Sequence, residues 1–198
     1  VSGMQAKANA TQVALAAAPP LQHIVAEWLA ALAAARAVTA DGTPAPVVLA
    51  GHGIHSVDFK LLYWGLRRSG VDPYWTLRQA GIVGVLDTTK LVKAFPESIQ
   101  QQLPPKVEGN CGAKCIRNAS NEACYNTFVA SSERRQLGPV QWHRARQDAK
   151  ANLTWVMTPP CREVLQTLPA DLAKAGALIS LEQMVLMTLD KYPAGTLP

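Results

Sequence analysis

Val47-Val48-Leu49-Ala50-Gly51-His52 and, further along, Ile82-Val83-Gly84-Val85-Leu86-Asp87 are the two runs that set the architecture of this chain. Both are short, rich in β-branched residues and bounded by turn-forming residues, the pattern of a buried strand rather than of a helix segment. Each leads into apolar residues at helical spacing. After the first, Phe59, Leu62 and Leu66 mark a helix from about Asp58 to Arg68, which Ser69-Gly70 ends. After the second, Asp87-Thr88-Thr89 caps a helix carrying Leu91, Val92 and Phe95. Strands that alternate with helices predict an α/β fold with a partly parallel sheet.

The rest of the chain reads as helices and connections around this unit. A small-residue, Ala-rich start ends in Pro19-Pro20, and Ile24, Val25, Trp28, Leu29 and Leu32 then recur at helical spacing from Leu21 to about Val38. Asp41-Gly42 and two prolines make a turn between Thr39 and Pro46. From Pro96 to Cys124 the chain is polar and long enough to be a loop insertion. Residues 124–136 read as one short helix, and His143 to Met157 as a longer one that Thr158-Pro159-Pro160 stops. Two more helices are expected over 161–168 and 178–191, the last with Leu181, Met184, Val185 and Leu189 on one face. Residues 1–157 thus form the main domain, with 96–124 inserted, and 158–198 a C-terminal helical extension. Two strands are too few for an independent sheet. Strands from outside residues 1–198, or from a partner, are expected to complete it.

Composition narrows the function classes. The 198 residues are 48% apolar, enough to bury a core. The net charge of +5, from 19 basic and 14 acidic residues with no dense Lys/Arg block, suits a polyanionic partner without requiring one. No apolar run approaches the roughly 18 residues of a membrane span, so a soluble protein without membrane contact is expected. Val1 and the absence of a signal-peptide pattern point to a processed product or a fragment. The expected location is intracellular, with an organelle as an option after loss of a transit peptide. Cys111, Cys115 and Cys124 have the residue type for zinc at a spacing that matches no common zinc module, and reduced thiols are the simpler reading. The Asn-x-Ser/Thr triplets at Asn9, Asn118 and Asn152 are read as coincidence.

His143-Arg144-Ala145-Arg146-Gln147-Asp148 places a histidine and a carboxylate five residues apart at a helix start. Asp58, six residues after His52, adds a second carboxylate just past a strand. Taken with Val48-Leu49-Ala50-Gly51-His52 and Leu86-Asp87-Thr88, this order resembles the DEDDh family of 3′-to-5′ exonucleases, most closely the three-prime repair exonuclease branch. The resemblance covers about residues 1–157 and begins with Val1-Ser2-Gly3-Met4, similar to the segment after the family's third strand. His143 to Asp148 looks like its third motif, and His52 to Asp58 like its second.

The resemblance implies a ribonuclease H-like exonuclease fold lacking its early strands. It makes Asp58 and Asp148 ligands of two Mg²⁺ or Mn²⁺ ions, and His143 the general base on the attacking water. His52, Trp142, Arg144, Arg146 and Lys90 would contact single-stranded DNA or RNA, with Arg67, Arg68, Arg134 and Arg135 as further basic residues near the motifs. His55 is read as a loop residue, His23 as structural and Asp87 as a helix cap. Two departures stand out. Gly53 occupies the position where the family usually has Asn, and the family's Asp-x-Glu strand has no counterpart. Two functions follow: an exonuclease whose first motif lies upstream, or a catalytically degenerate structural or RNA-binding subunit of a large ribonucleoprotein such as an organellar ribosome.

Overall fold

The computed structural model describes residues 19–106, 117–142, 144–167 and 169–191. The elements run α1 (Leu21–Ala35), β1 (Val47–Gly51), α2 (Asp58–Arg68), α3 (Pro73–Gln79), β2 (Ile82–Asp87), α4 (Thr88–Ala94), α5 (Glu97–Gln100), α6 (Asn121–Phe128) and α7 (Ser131–Leu137). They continue with α8 (Ala145–Val156), α9 (Pro159–Thr167), α10 (Pro169–Lys174), β3 (Leu178–Ser180) and α11 (Leu181–Lys191). The expectations for Val1 to Met4 and the Ala-rich start, and for Cys111, Cys115 and His143, lie outside the described residues.

The sheet is mixed and three-stranded, in the order β1-β2-β3. β1 and β2 are parallel, as α/β alternation requires, and their carboxyl ends coincide at the pair Gly51 and Asp87. β3 runs antiparallel to β2, pairing Gly84 with Ser180 and Leu86 with Leu178. An added Cβ at Gly84 would lie 3.0 Å from the Ile179 carbonyl oxygen, so glycine lets the two backbones approach.

Two sequence expectations are corrected here. Residues 178–180 are strand, where a helix was expected from 178, so the third strand comes from within the chain. A three-residue run is too short for periodicity to separate from the helix it precedes. The segment after residue 158 is accordingly no mere appendage: it closes one side of the sheet and packs α11 on β2. β1, in turn, is not a fully buried strand. Its residues alternate in exposure, Val48 is 44% exposed, and its outer edge carries no paired strand among the described residues.

Apolar side chains form two clusters. In one, Phe59, Tyr63 and Leu66 of α2, Leu77 of α3, and Leu181 and Met184 of α11 pack with Ile82 and Val85. In the other, Leu91 and Val92 of α4, Phe128 of α6, Trp155 of α8 and Val164 of α9 pack with Leu86. The pairing register slips between Val47 and Val48, opposite Ile82 and Gly84, leaving Val83 as an extra residue on β2. The bulge resets the alternation, which is why Ile82 and Val85, three apart, reach the same cluster.

Local sequence explains most element boundaries. The Asp72 side chain caps α3, with Pro73 at its first position, and the Ser120 hydroxyl caps α6 by accepting from Ala123 N at 3.2 Å. The expected single helix over 124–136 is two, because Val129 turns extended after α6 and its side chain is buried in the core. The 96–124 connection is also more than a loop. It contains α5 and the start of α6, and it sends Leu103, 1% exposed, into the core. Thr158-Pro159-Pro160 redirects the chain rather than stopping it, since Pro159 begins α9. Among the described residues no helix is long and apolar enough to cross a membrane.

Candidate functional site

The coinciding ends of β1 and β2 deliver four polar side chains to one place: His52 and His55 from the turn after β1, and Asp87 and Thr88 from the passage of β2 into α4. Asp87 is 2% exposed and does more than cap α4. One carboxylate oxygen accepts from Thr89 N at 3.0 Å and from Gly53 N at 3.1 Å. Gly53 has φ +75°, a conformation that glycine adopts without strain, so the turn presents its N–H to that carboxylate. The Gly53 backbone thus joins the turn to Asp87.

His55 is a loop residue, as expected, in the turn after β1, but a buried one, 4% exposed. Its Nε2 lies 3.2 Å from the Val85 carbonyl oxygen, which can only accept, so Nε2 carries the proton. Nδ1 is then free to accept from the Lys90 ammonium at 3.3 Å, with the second Asp87 oxygen 3.8 Å away. Burial is the main cause that lowers the His55 pKa; Lys90 lowers it further, while the Val85 bond and Asp87 oppose. Lys90 therefore faces a buried ring, where the sequence reading had it contacting phosphate.

Thr88, with no exposed surface, is the hub. Its hydroxyl accepts from Asn152 Nδ2 at 2.8 Å and lies 3.2 Å from His52 Nδ1. The His52 ring also bonds the Ala119 backbone, and burial, ahead of the opposing influence of Asp87, lowers its pKa. His52 is thus a neutral ring held on two sides, suited to positioning the turn. Asn121, at the start of α6, completes the arrangement. Its Oδ1 accepts from Trp155 Nε1 at 2.8 Å and its Nδ2 donates to the Asp148 carbonyl at 2.9 Å. This fixes the first turn of α8 against α6.

Asp148 is half-buried in that first turn, four residues before Asn152 and hence on the same side of the helix. Asp58 is exposed at the first position of α2, just beyond the His52–Val57 turn, and Phe59 N anchors that start by donating to the Ile54 carbonyl. Both carboxylates therefore sit on elements tied to the strand ends. His143 lies outside the described residues. Among those residues no three His, Cys, Asp or Glu side chains gather as a ligand set. The donor chemistry of Asp58 and Asp148 suits hard cations such as Mg²⁺ or Mn²⁺.

Of the other predicted residues, Arg144 and Arg146 are exposed at the start of α8, and Arg144 makes no capping bond. Trp142 is half-buried and meets Tyr125 edge to face at 5.9 Å between ring centroids. His23 is exposed and pairs with Glu27 at 3.1 Å, rather than belonging to the core. Cys124 and Cys161 are free thiols within one apolar cluster. Burial pushes Cys124 up to about 12 and Cys161 up to about 11, so Cys124 suits the core better than a zinc loop. Asn152, 6% exposed and bonded to Thr88, is closed to glycosylation.

Sequence reasoning missed Thr88, Asn121 and Asn152 as a unit. A usable signal existed for Asn152, since an Asn four residues after a candidate ligand shares its helix side. Asn121 carried none beyond its place after the capping Ser120. No protein-family model, curated protein or solved structure matches this chain.

Proposed function

We propose that the ends of β1 and β2 form the frame of a phosphodiester-cleaving site of the 3′-to-5′ exonuclease type, on a ribonuclease H-like fold. One observation supports the reading above others. Thr88 ties the turn that leads to Asp58 to the helix that bears Asp148, through His52 at 3.2 Å and Asn152 at 2.8 Å. The two candidate carboxylates are far apart in sequence, and this linkage fixes their elements relative to each other at the strand carboxyl ends, where open α/β sheets bind ligands.

In this reading Asp58 and Asp148 supply oxygen ligands to Mg²⁺ or Mn²⁺, which would stabilise charge on the cleaved phosphate. His143 takes the proton of the attacking water, as the resemblance implies. Asp87 and His55 hold the turn, and the exposed Arg144 and Arg146 attract the single strand. The remaining carboxylates would come from an Asp-x-Glu strand, for which the open edge of β1 offers a parallel pairing partner.

The test is Mn²⁺-dependent shortening of a 5′-labelled single strand by the native protein together with whatever supplies the Asp-x-Glu strand, with Asp58→Ala and Asp148→Ala variants checked by circular dichroism and intact mass. The expected result is cleavage by the unaltered protein that both variants lose while remaining folded. Cleavage that persists in either variant overturns the assignment. The exposed Val48 on that same edge favours a second reading, a catalytically degenerate subunit whose sheet is completed by a protein or RNA assembly. A protein that binds a single strand yet never cuts it would favour this one.

A further inference from the structure

Away from the strand ends, α6, α7 and the segment leading to Trp142 enclose an open cavity of about 530 Å³. We infer that this cavity is a nucleotide-binding site, in which a base stacks against Trp142 and a phosphate is held by Arg134 and Arg135. The inference rests on the exonuclease reading for its choice of ligand, since that reading already sets Trp142, Arg134 and Arg135 near the motifs. On α6 the cavity is lined by Glu122, Tyr125 and Asn126, and Tyr125 lies one turn after Asn121, which bonds Trp155.

The cavity's chemistry is that of a nucleotide's two halves. Trp142 is half-buried, and the Tyr125 ring packed edge to face against it fixes its plane. Arg134 is held in place, with Nη1 donating to the Asn126 carbonyl and side-chain oxygens and Nη2 to the Ser131 hydroxyl at 3.0 Å. A guanidinium has five N–H donors. Among the described residues its three bonds leave Nε–H and one Nη2–H for an anion, on a side chain that gives up little freedom by binding it. Arg135 is exposed and adds a second positive charge. Glu122 brings an acceptor suited to a base amine or a sugar hydroxyl and makes a bare anion less welcome than a nucleotide. The volume lies within the roughly 300–1,000 Å³ of small-molecule sites.

The shared ligand chemistry is a nucleoside phosphate, either free or as one unit of a single strand. The experiment uses the full chain in EDTA, so that cleavage plays no part. Fluorescence anisotropy of a labelled twelve-nucleotide pyrimidine strand is measured across a salt series, with uridine monophosphate and inorganic phosphate as competitors. Arg135→Ala should weaken strand binding about fivefold at low salt and reduce the salt slope by about 0.7, the value for one lost phosphate contact on a single strand. Trp142→Leu should weaken it by about tenfold, within the range for one stacked base, and Trp142→Phe should restore most of that loss. Arg162→Ala, an exposed arginine on α9, should change little.

Competition by uridine monophosphate at millimolar concentration would assign the site to a free nucleotide, and its absence, with strand binding still sensitive to Trp142, to a strand. Either supports the inference. Equal losses for Arg162→Ala and Arg135→Ala, binding indifferent to Trp142→Leu, or phosphate competing as well as the nucleotide would each overturn it.

Discussion

Replacing Thr88 by Val keeps the shape of a side chain that has no exposed surface and removes only its hydroxyl. Asn152 Nδ2, 2.8 Å from that hydroxyl, would keep only a 3.4 Å contact to Asn121 Oδ1, and Asn152 is itself 6% exposed. A lost hydrogen bond is worth about 1 kcal/mol, and a buried donor left unpaired costs about 1–3 kcal/mol. Thr88→Val should therefore destabilise the fold by about 2 kcal/mol, or about 4–8 °C in Tm for a chain of this size. Asn152→Leu should cost less, since the Thr88 hydroxyl keeps His52 and Asn121 keeps Trp155. With both changes no amide is left stranded, and the double variant should recover about 1 kcal/mol relative to the sum of the single ones. Urea unfolding followed by far-UV circular dichroism reads these values as midpoint shifts at constant slope. Strict additivity, within about 0.4 kcal/mol, would refute the role of Thr88 as the link between the two segments.

Two further expectations follow from buried groups. His52 and His55 both titrate below the ordinary 6.5 because burial disfavours the imidazolium form. The unfolded chain therefore binds more protons than the folded one in that range, and stability should fall as pH drops from 6.5 toward the lowered folded values, then level off. Urea midpoints at about pH 7.5, 6.5 and 5.5 check this, and a flat or rising series would contradict it. Cys124 and Cys161, with thiols pushed up to about 12 and 11, should resist iodoacetamide in the native protein at about pH 8 and react fully in denaturant, as residue-level mass spectrometry would show. Rapid native alkylation of either would mean that the α6–α9 cluster opens readily.

The two parallel strands and the helices after them were legible because their signals are local: β-branched runs, capping residues and apolar spacing all lie within a few residues. β3 was not, because Leu178-Ile179-Ser180 becomes a strand only through its pairing with β2. Val48 misled for the opposite reason, since its residue type suits a buried strand and only the sheet order exposes it. At the candidate site, Asp58 and Asp148 could be picked out by residue type and spacing. Of the polar side chains that connect their elements, only Asn152 had a sequence signal, its place four residues after Asp148, because a buried Thr or Asn otherwise looks in sequence like any surface one. His55 shows the same difficulty, as its burial depends on the Val85 carbonyl thirty positions away in the chain.

The late position of β3 has a consequence for how the protein is made. During synthesis β2 leaves the ribosome long before Leu178–Ser180, so until then, among the described strands, β2 has only β1 as a partner. The β3 side of β2 then offers unpaired backbone amides and carbonyls, an arrangement that favours off-pathway association of nascent chains. The closing strand protects that flank only once Leu178–Ser180 has emerged. Truncation ahead of residue 178 should therefore harm solubility more than the loss of three strand residues would suggest, by leaving β2 as an adhesive border.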